Sequence, residues 1–67
     1  MITILLNGKP RELEAAMTVA TLLKALGVSP RLVAVAVNGE VVRRDDWSVA
    51  LVRDGDAVQI VRAVGGG

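Results

Sequence analysis

Cysteine, histidine, tyrosine and phenylalanine are all absent from this chain, and tryptophan occurs once. Without a thiol or an imidazole there is no sulfur nucleophile, no histidine base and no Cys/His zinc cage. Disulfides cannot support the fold, and a chain free of cysteine fits a reducing compartment. The lone aromatic, Trp47, makes no stacking platform for nucleic-acid bases. Neither sign of charge dominates: 8 Lys and Arg stand against 7 Asp and Glu, for a net +1. The one basic pair, Arg43-Arg44, is followed at once by Asp45-Asp46, so no basic face for nucleic acid is expected. No apolar run approaches the roughly 20 residues of a membrane span. The start lacks the basic, apolar signature of a signal peptide. A cytoplasmic location is expected, with no nucleic-acid or membrane partner. The 67 residues allow one domain with a small core. Walls for an autonomous active site are scarce at this size, so the chain is not expected to be an enzyme.

What is present is patterned. Met1 to Leu6 reads as a strand rich in β-branched residues. Asn7-Gly8 follows, a strong hairpin signal because both residues tolerate positive φ. Pro10 to Glu14 reads as a short edge strand anchored by Leu13. The period then changes. Val19, Leu22, Leu23 and Leu26 lie on one face of a helix, with Thr18 as its cap and Gly27 just past its end. Pro30 bars continuation. Arg31 to Val37 returns to strand character, with Val33, Val35 and Val37 on one face and Leu32, Ala34 and Ala36 on the other. Asn38-Gly39 turns into Glu40-Val41-Val42. Arg43 to Val52 reads as a polar crossing, with Trp47 a cap over the core. Asp54 and Asp56 flank a turn glycine and read as turn chemistry, not as a metal site. Ala57 to Arg62 is the last strand. The order ββαβ(β)β predicts an α+β fold of the β-grasp type: a mixed four- to five-stranded sheet wrapping one helix, first and last strands paired in parallel.

The chain closes on Gly65, Gly66 and Gly67. Glycines have no side chain to pack, so they add nothing to the core. The expected division is a domain over 1–64 and a glycine tail over 65–67. Such a tail is either a frayed end or an acyl group presented without steric hindrance. Residues 63–67 extend roughly 15 Å, enough to carry a carboxylate into a partner's channel too narrow for any Cβ. A carboxylate must be activated before it reacts. With no phosphate-binding loop in this chain, activation by ATP falls to another protein.

The ordered set of segments resembles the ubiquitin-like sulfur carriers of the ThiS/MoaD type. It comprises Ile2-Thr3-Ile4 leading into Asn7-Gly8, Thr18 to Leu23, Val33 to Val42, Asp46-Trp47, Asp54 to Val61, and the ending Ala63-Val64-Gly65-Gly66-Gly67. The resemblance implies a ubiquitin-like β-grasp fold. It implies that the Gly67 carboxylate is adenylated by an E1-like, ThiF-type partner using ATP and magnesium, with Gly66 threaded behind it. It further implies sulfur supplied through a cysteine desulfurase, a thiocarboxylate at Gly67, and delivery to thiazole synthase for thiamine. No cofactor is expected on the carrier itself. Carriage for tRNA thiolation or molybdopterin synthesis, a lysine-linked modifier, and a binding module with an inert tail are the alternatives.

A carrier needs a docking face. The helix is expected to cover Ile2, Ile4, Val33, Val35, Val37, Val58 and Ile60. That leaves Leu5, Ala34, Ala36, Gln59 and Val61 on the opposite face of the sheet as the partner surface, with Leu5 and Val61 as neighbours. Arg62 sits at the root of the tail, suited to acidic groups at a channel mouth. Val64 and Gly65 continue the contact.

Overall fold

The computed structural model describes residues 1–62. Strands β1 (Ile2–Leu6) and β2 (Lys9–Leu13) form the first hairpin. A short strand β3 (Met17–Thr18) leads into helix α1 (Val19–Ala25). Strands β4 (Val33–Val37) and β5 (Glu40–Val42) form the second hairpin. A short β6 (Leu51–Val52) precedes the final β7 (Ala57–Arg62). The main sheet has five strands in the order β2-β1-β7-β4-β5, and β3 pairs with β6 in a separate two-stranded ribbon. β1 and β7 run parallel, and the other pairings are antiparallel. This is the expected ubiquitin-like β-grasp, with one helix against a mixed sheet.

Both hairpins are set by Asn-Gly. Asn7 and Asn38 have φ of 52° and 53°, and Gly8 and Gly39 both have 83°. Two positive-φ residues in succession give the turn whose twist matches that of the strands. The register follows: Leu6 opposes Lys9 and Val37 opposes Glu40.

The helix is short, and each end is closed by specific bonds. At its start the Thr18 hydroxyl accepts from the Thr21 N–H at 3.2 Å. The Val19 and Ala20 N–H groups donate to the carbonyls of Ala50 and Trp47, at 2.9 and 3.0 Å. Three donors that a helix leaves unpaired are thus satisfied, two of them by the distant 43–52 crossing. At its end Val28 N–H reaches the Leu23 carbonyl and Gly27 N–H reaches that of Lys24. That is a Schellman closure, and Gly27 supplies the left-handed residue it needs, with φ 71°.

Two stretches differ from the expectation. Strand character was expected from Arg31, but Pro30–Leu32 is a single tight turn and the strand begins at Val33. Proline presets the φ of a turn's first residue and so delays the strand. Leu32 is left 61% exposed. The crossing from Arg43 to Val52 is also more than polar loop. Arg44–Asp46 form a tight turn, and Trp47 is buried with its indole N–H on the Val42 carbonyl at 3.0 Å. The Arg44 guanidinium lies 5.1 Å above that ring and donates to the Arg31 carbonyl. Val52 is fully buried.

The core comprises Ile4, Leu13, Val19, Leu22, Leu23, Val33, Val35, Trp47, Val52 and Val58, with no buried charge among the described residues. Ile2, Val37 and Ile60 pack at its margin, so the whole set expected under the helix faces the core. Leu22→Ala is expected to cost about 2–5 kcal/mol by leaving a cavity. Leu32→Ala is expected to change stability by less than about 0.5 kcal/mol. Urea unfolding of both variants tests this assignment, and equal effects would refute it.

Candidate functional site

Strand β7 is the centre of the sheet and the last element before the tail. Its register places alternate residues on opposite faces. Ile60 opposes Val35, and Val58 opposes Val37, both on the helix side. Val61 opposes Ala34, and Gln59 opposes Ala36, both on the open side. Leu5 lies on the same open side, opposite Ala57 and Pro10. The five residues expected to form the docking face, Leu5, Ala34, Ala36, Gln59 and Val61, therefore do share one face of the sheet.

Their arrangement corrects one detail. Leu5 and Val61 are not neighbours. The parallel register sets Leu5 against Ala57, four residues from Val61 along β7, or about 13 Å at the rise of a strand. β1 stops at Leu6, where Asn7-Gly8 turns the chain away, and β7 runs on past it. The patch is thus a diagonal band: Val61 and Ala34 nearest the tail, Gln59 and Ala36 in the middle, Leu5 and Pro10 furthest away.

Val41 extends the middle of this band and was not singled out in the sequence. It opposes Ala36 and is 74% exposed, against 61% for Val61 and 44% for Leu5. Its place follows from the two-residue Asn38-Gly39 turn, since pairing Val37 with Glu40 must pair Ala36 with Val41. Exposed valines and a leucine around two alanines form an apolar surface with a shallow centre, suited to a partner's projecting side chains. These five side chains and Val41 offer packing surface and one amide. None of them titrates or attacks, so what this face presents is packing area.

Arg62 lies on the other side of the sheet. With Arg11 it borders a groove walled by Leu6, Asn7, Leu26, Val28, Val33 and Ile60, beside the end of β7. The groove wall holds two guanidinium groups and no carboxylate, which favours an acidic visitor where the tail begins. Asp56 closes the turn, as expected, and Asp54 ties that turn to β1. Asp54 Oδ1 accepts from the Thr3 N–H at 2.8 Å and Asp56 Oδ2 from the Arg53 N–H at 2.8 Å. The expectations for Val64, Gly65, Gly66 and Gly67, and the boundary after residue 64, lie outside the described residues.

Comparison with known proteins adds the following. A model of the ThiS family matches residues 4–67. A thiazole synthase of Paramagnetospirillum magneticum is 44% identical over 64 residues, covering 96% of this chain and 20% of that protein. The sulfur carrier protein ThiS of Escherichia coli is 33% identical over 64 residues, covering 96% of this chain and 97% of that one. The crystal structure of the thiamine biosynthesis protein ThiS from Geobacter metallireducens superposes with a TM-score of 0.88 at 38% identity. That alignment covers 98% of this chain and 100% of that one. The chain spans about a fifth of the length of the thiazole synthases it matches.

The alternation along β7 has a direct check. Val61→Lys is expected to keep stability within about 0.5 kcal/mol of the parent, because the residue faces solvent. Val58→Lys, three positions earlier, is expected to abolish the cooperative melt, because it buries an unpaired ammonium. Similar melting curves for the two would reverse the assignment of faces.

Proposed function

Because this chain belongs to the ThiS family, we propose that it is a sulfur carrier for thiamine biosynthesis whose chemistry takes place on the Gly67 carboxylate. What supports this reading above all is that the family match runs through residue 67. The body it covers ends its last core strand at Arg62.

The chemistry sets what the chain supplies. A carboxylate oxygen attacks the α-phosphorus of ATP, and pyrophosphate leaves. The product is a mixed anhydride whose acyl carbon a sulfur nucleophile can attack, with AMP as the leaving group. ATP, magnesium and the catalytic groups belong to an E1-like, ThiF-type partner, and sulfur comes through a cysteine desulfurase. The chain itself contributes three things: an acyl end free of side chains, a reach of roughly 15 Å, and a body that docks through the band of Leu5, Ala34, Ala36, Gln59 and Val61. Gly66 passes the narrowest part of the channel, and Val64 and Gly65 line its mouth. Arg62, with Arg11, meets acidic groups beside that entrance. The chain is thus carrier and co-substrate, acting in the cytoplasm where ATP is available, and not the catalyst.

The destination of the sulfur is thiazole synthase. Two relatives bear that name, and the segment similar to this chain makes up about a fifth of each. A carrier body within the synthase's own chain favours thiazole over tRNA or molybdopterin as the acceptor, since tethering raises the local concentration of one partner.

Intact mass of the protein from its own host, with fragmentation, is expected to show one oxygen replaced by sulfur at Gly67. Localisation matters, because oxidation of Met1, Met17 or Trp47 adds nearly the same mass. Attachment through Gly67 to lysines of other proteins would indicate a modifier. An unmodified terminus in thiamine-starved cells would indicate an inert tail. Gly66→Val is expected to melt like the parent and to lose adenylation by the ThiF-type enzyme. Adenylation at the parent rate would refute threading.

A further inference from the structure

The two Asn-Gly turns do more than reverse the chain: their asparagines hold the two ends of β7. At its start, Asn38 Oδ1 accepts from the Ala57 N–H at 2.9 Å, and the Asn38 main-chain N–H donates to the Ala57 carbonyl at 2.7 Å. Towards its end, the Asn7 main-chain N–H donates to the Val58 carbonyl at 2.8 Å. The Asn7 side chain continues the ladder by one step. Its Oδ1 accepts from the Ile60 N–H at 2.9 Å, and its Nδ2 donates to the Ile60 carbonyl at 3.3 Å.

This second clamp stands at a particular place. β1 supplies main chain to that edge of β7 only as far as Asn7, and then turns away. Beyond Val58 the edge has no strand beside it among the described residues. The Asn7 carboxamide has the donor and acceptor of a peptide group, and it stands where the next peptide would be. The other edge is held by β4 up to Val33 opposite Arg62. One side-chain amide therefore extends the two-sided support of β7 as far as Ile60.

We propose that Asn7 is a positioning residue for the reaction at Gly67: its carboxamide holds Ile60 in the sheet and so sets where, and in which direction, the tail leaves the body. The proposal rests on the carrier reading. Without the amide, Ile60 and the two residues after it lose their last hold on that edge. A partner that docks the body and threads the tail must then order them again, and each ordered residue carries an entropic cost. Chemistry at the carboxylate, once threaded, is unaffected.

The alternative is that Asn7 serves the turn alone, and two variants separate the roles. Glycine accepts positive φ without strain, so Asn7→Gly keeps the turn and deletes the amide. Asn7→Asp keeps an acceptor for the Ile60 N–H but loses the donor. The clamp ranks the side chains Asn, then Asp, then Gly, whereas the turn ranks Gly at least equal to Asn. Hydrogen exchange of the Ile60 amide is expected to quicken about tenfold in Asn7→Gly, as loss of ordinary hydrogen bonds predicts. Asn7→Asp is expected to fall between it and the parent, with amides of α1 as the internal reference. With the activating enzyme, Asn7→Gly is expected to raise KM for the carrier about five- to tenfold, with kcat within twofold.

Unchanged Ile60 exchange in Asn7→Gly, or a loss shared equally by α1, would overturn the clamp. Faster Ile60 exchange with an unchanged KM would overturn the positioning role. A fall in kcat alone would do the same. If no ThiF-type enzyme adenylates even the parent chain, the carrier reading fails and the role of Asn7 in it fails too. The exchange ranking would still stand as a property of the fold, so the two failures are told apart.

Discussion

A central strand must find hydrogen-bond partners along both edges, because buried main-chain groups left unpaired are costly. For β7 that requirement organises the whole molecule. Its edges are taken by β4 on one side and by β1, the first strand, on the other. A parallel neighbour cannot be reached by a tight turn, so the chain has to cross over the sheet between them. The crossover carries α1, and α1 covers the face that the crossing exposes. Where β1 runs out, a carboxamide takes its place at Ile60. The last core strand is therefore paired along both edges as far as Ile60.

A helix of seven residues would not persist alone in water, where nucleation outweighs so few hydrogen bonds. It persists here because its first donors are met by Ala50 and Trp47, and because Val19, Leu22 and Leu23 are buried against the sheet. The 43–52 crossing thus serves as a lid. Trp47 closes the core beside α1, Val52 fills it, and Arg44 covers the indole from outside. A chain without disulfides gains order from a shared group such as Trp47, which closes the helix start through its carbonyl and covers apolar surface with its ring.

The same economy explains the division of labour in the proposed function. The helix-facing side of the sheet is consumed by the core, so the open side is left to the partner. Its small alanines at 34 and 36 carry no burden of packing against α1. Body and tail can then answer to different demands: shape complementarity over the band, and bare main chain at the acyl end.

Much of this was legible in residue order because it depends on local chemistry. Asn-Gly pairs announce their turns through positive φ, and the two-residue turn then dictates register. Val19, Leu22 and Leu23 declare a face through spacing, and Thr18 and Gly27 close it. The alternation in 57–62 separates the core face of the sheet from its open face. What local chemistry left open were contacts between segments far apart in the chain. The pairing of Met17–Thr18 with Leu51–Val52 was hidden because two-residue strands have no readable period. The offset that parts Leu5 from Val61 depends on where β1 stops relative to β7, which no pattern within either strand records. The placing of Arg62 beside Arg11, and of the Asn7 amide on Ile60, required the two ends of the chain to meet. Propensity and spacing act over a few residues and so settled the elements and their faces. Register between distant strands is decided by which main-chain groups remain to be paired once the sheet closes, and only the assembled structure contains that answer.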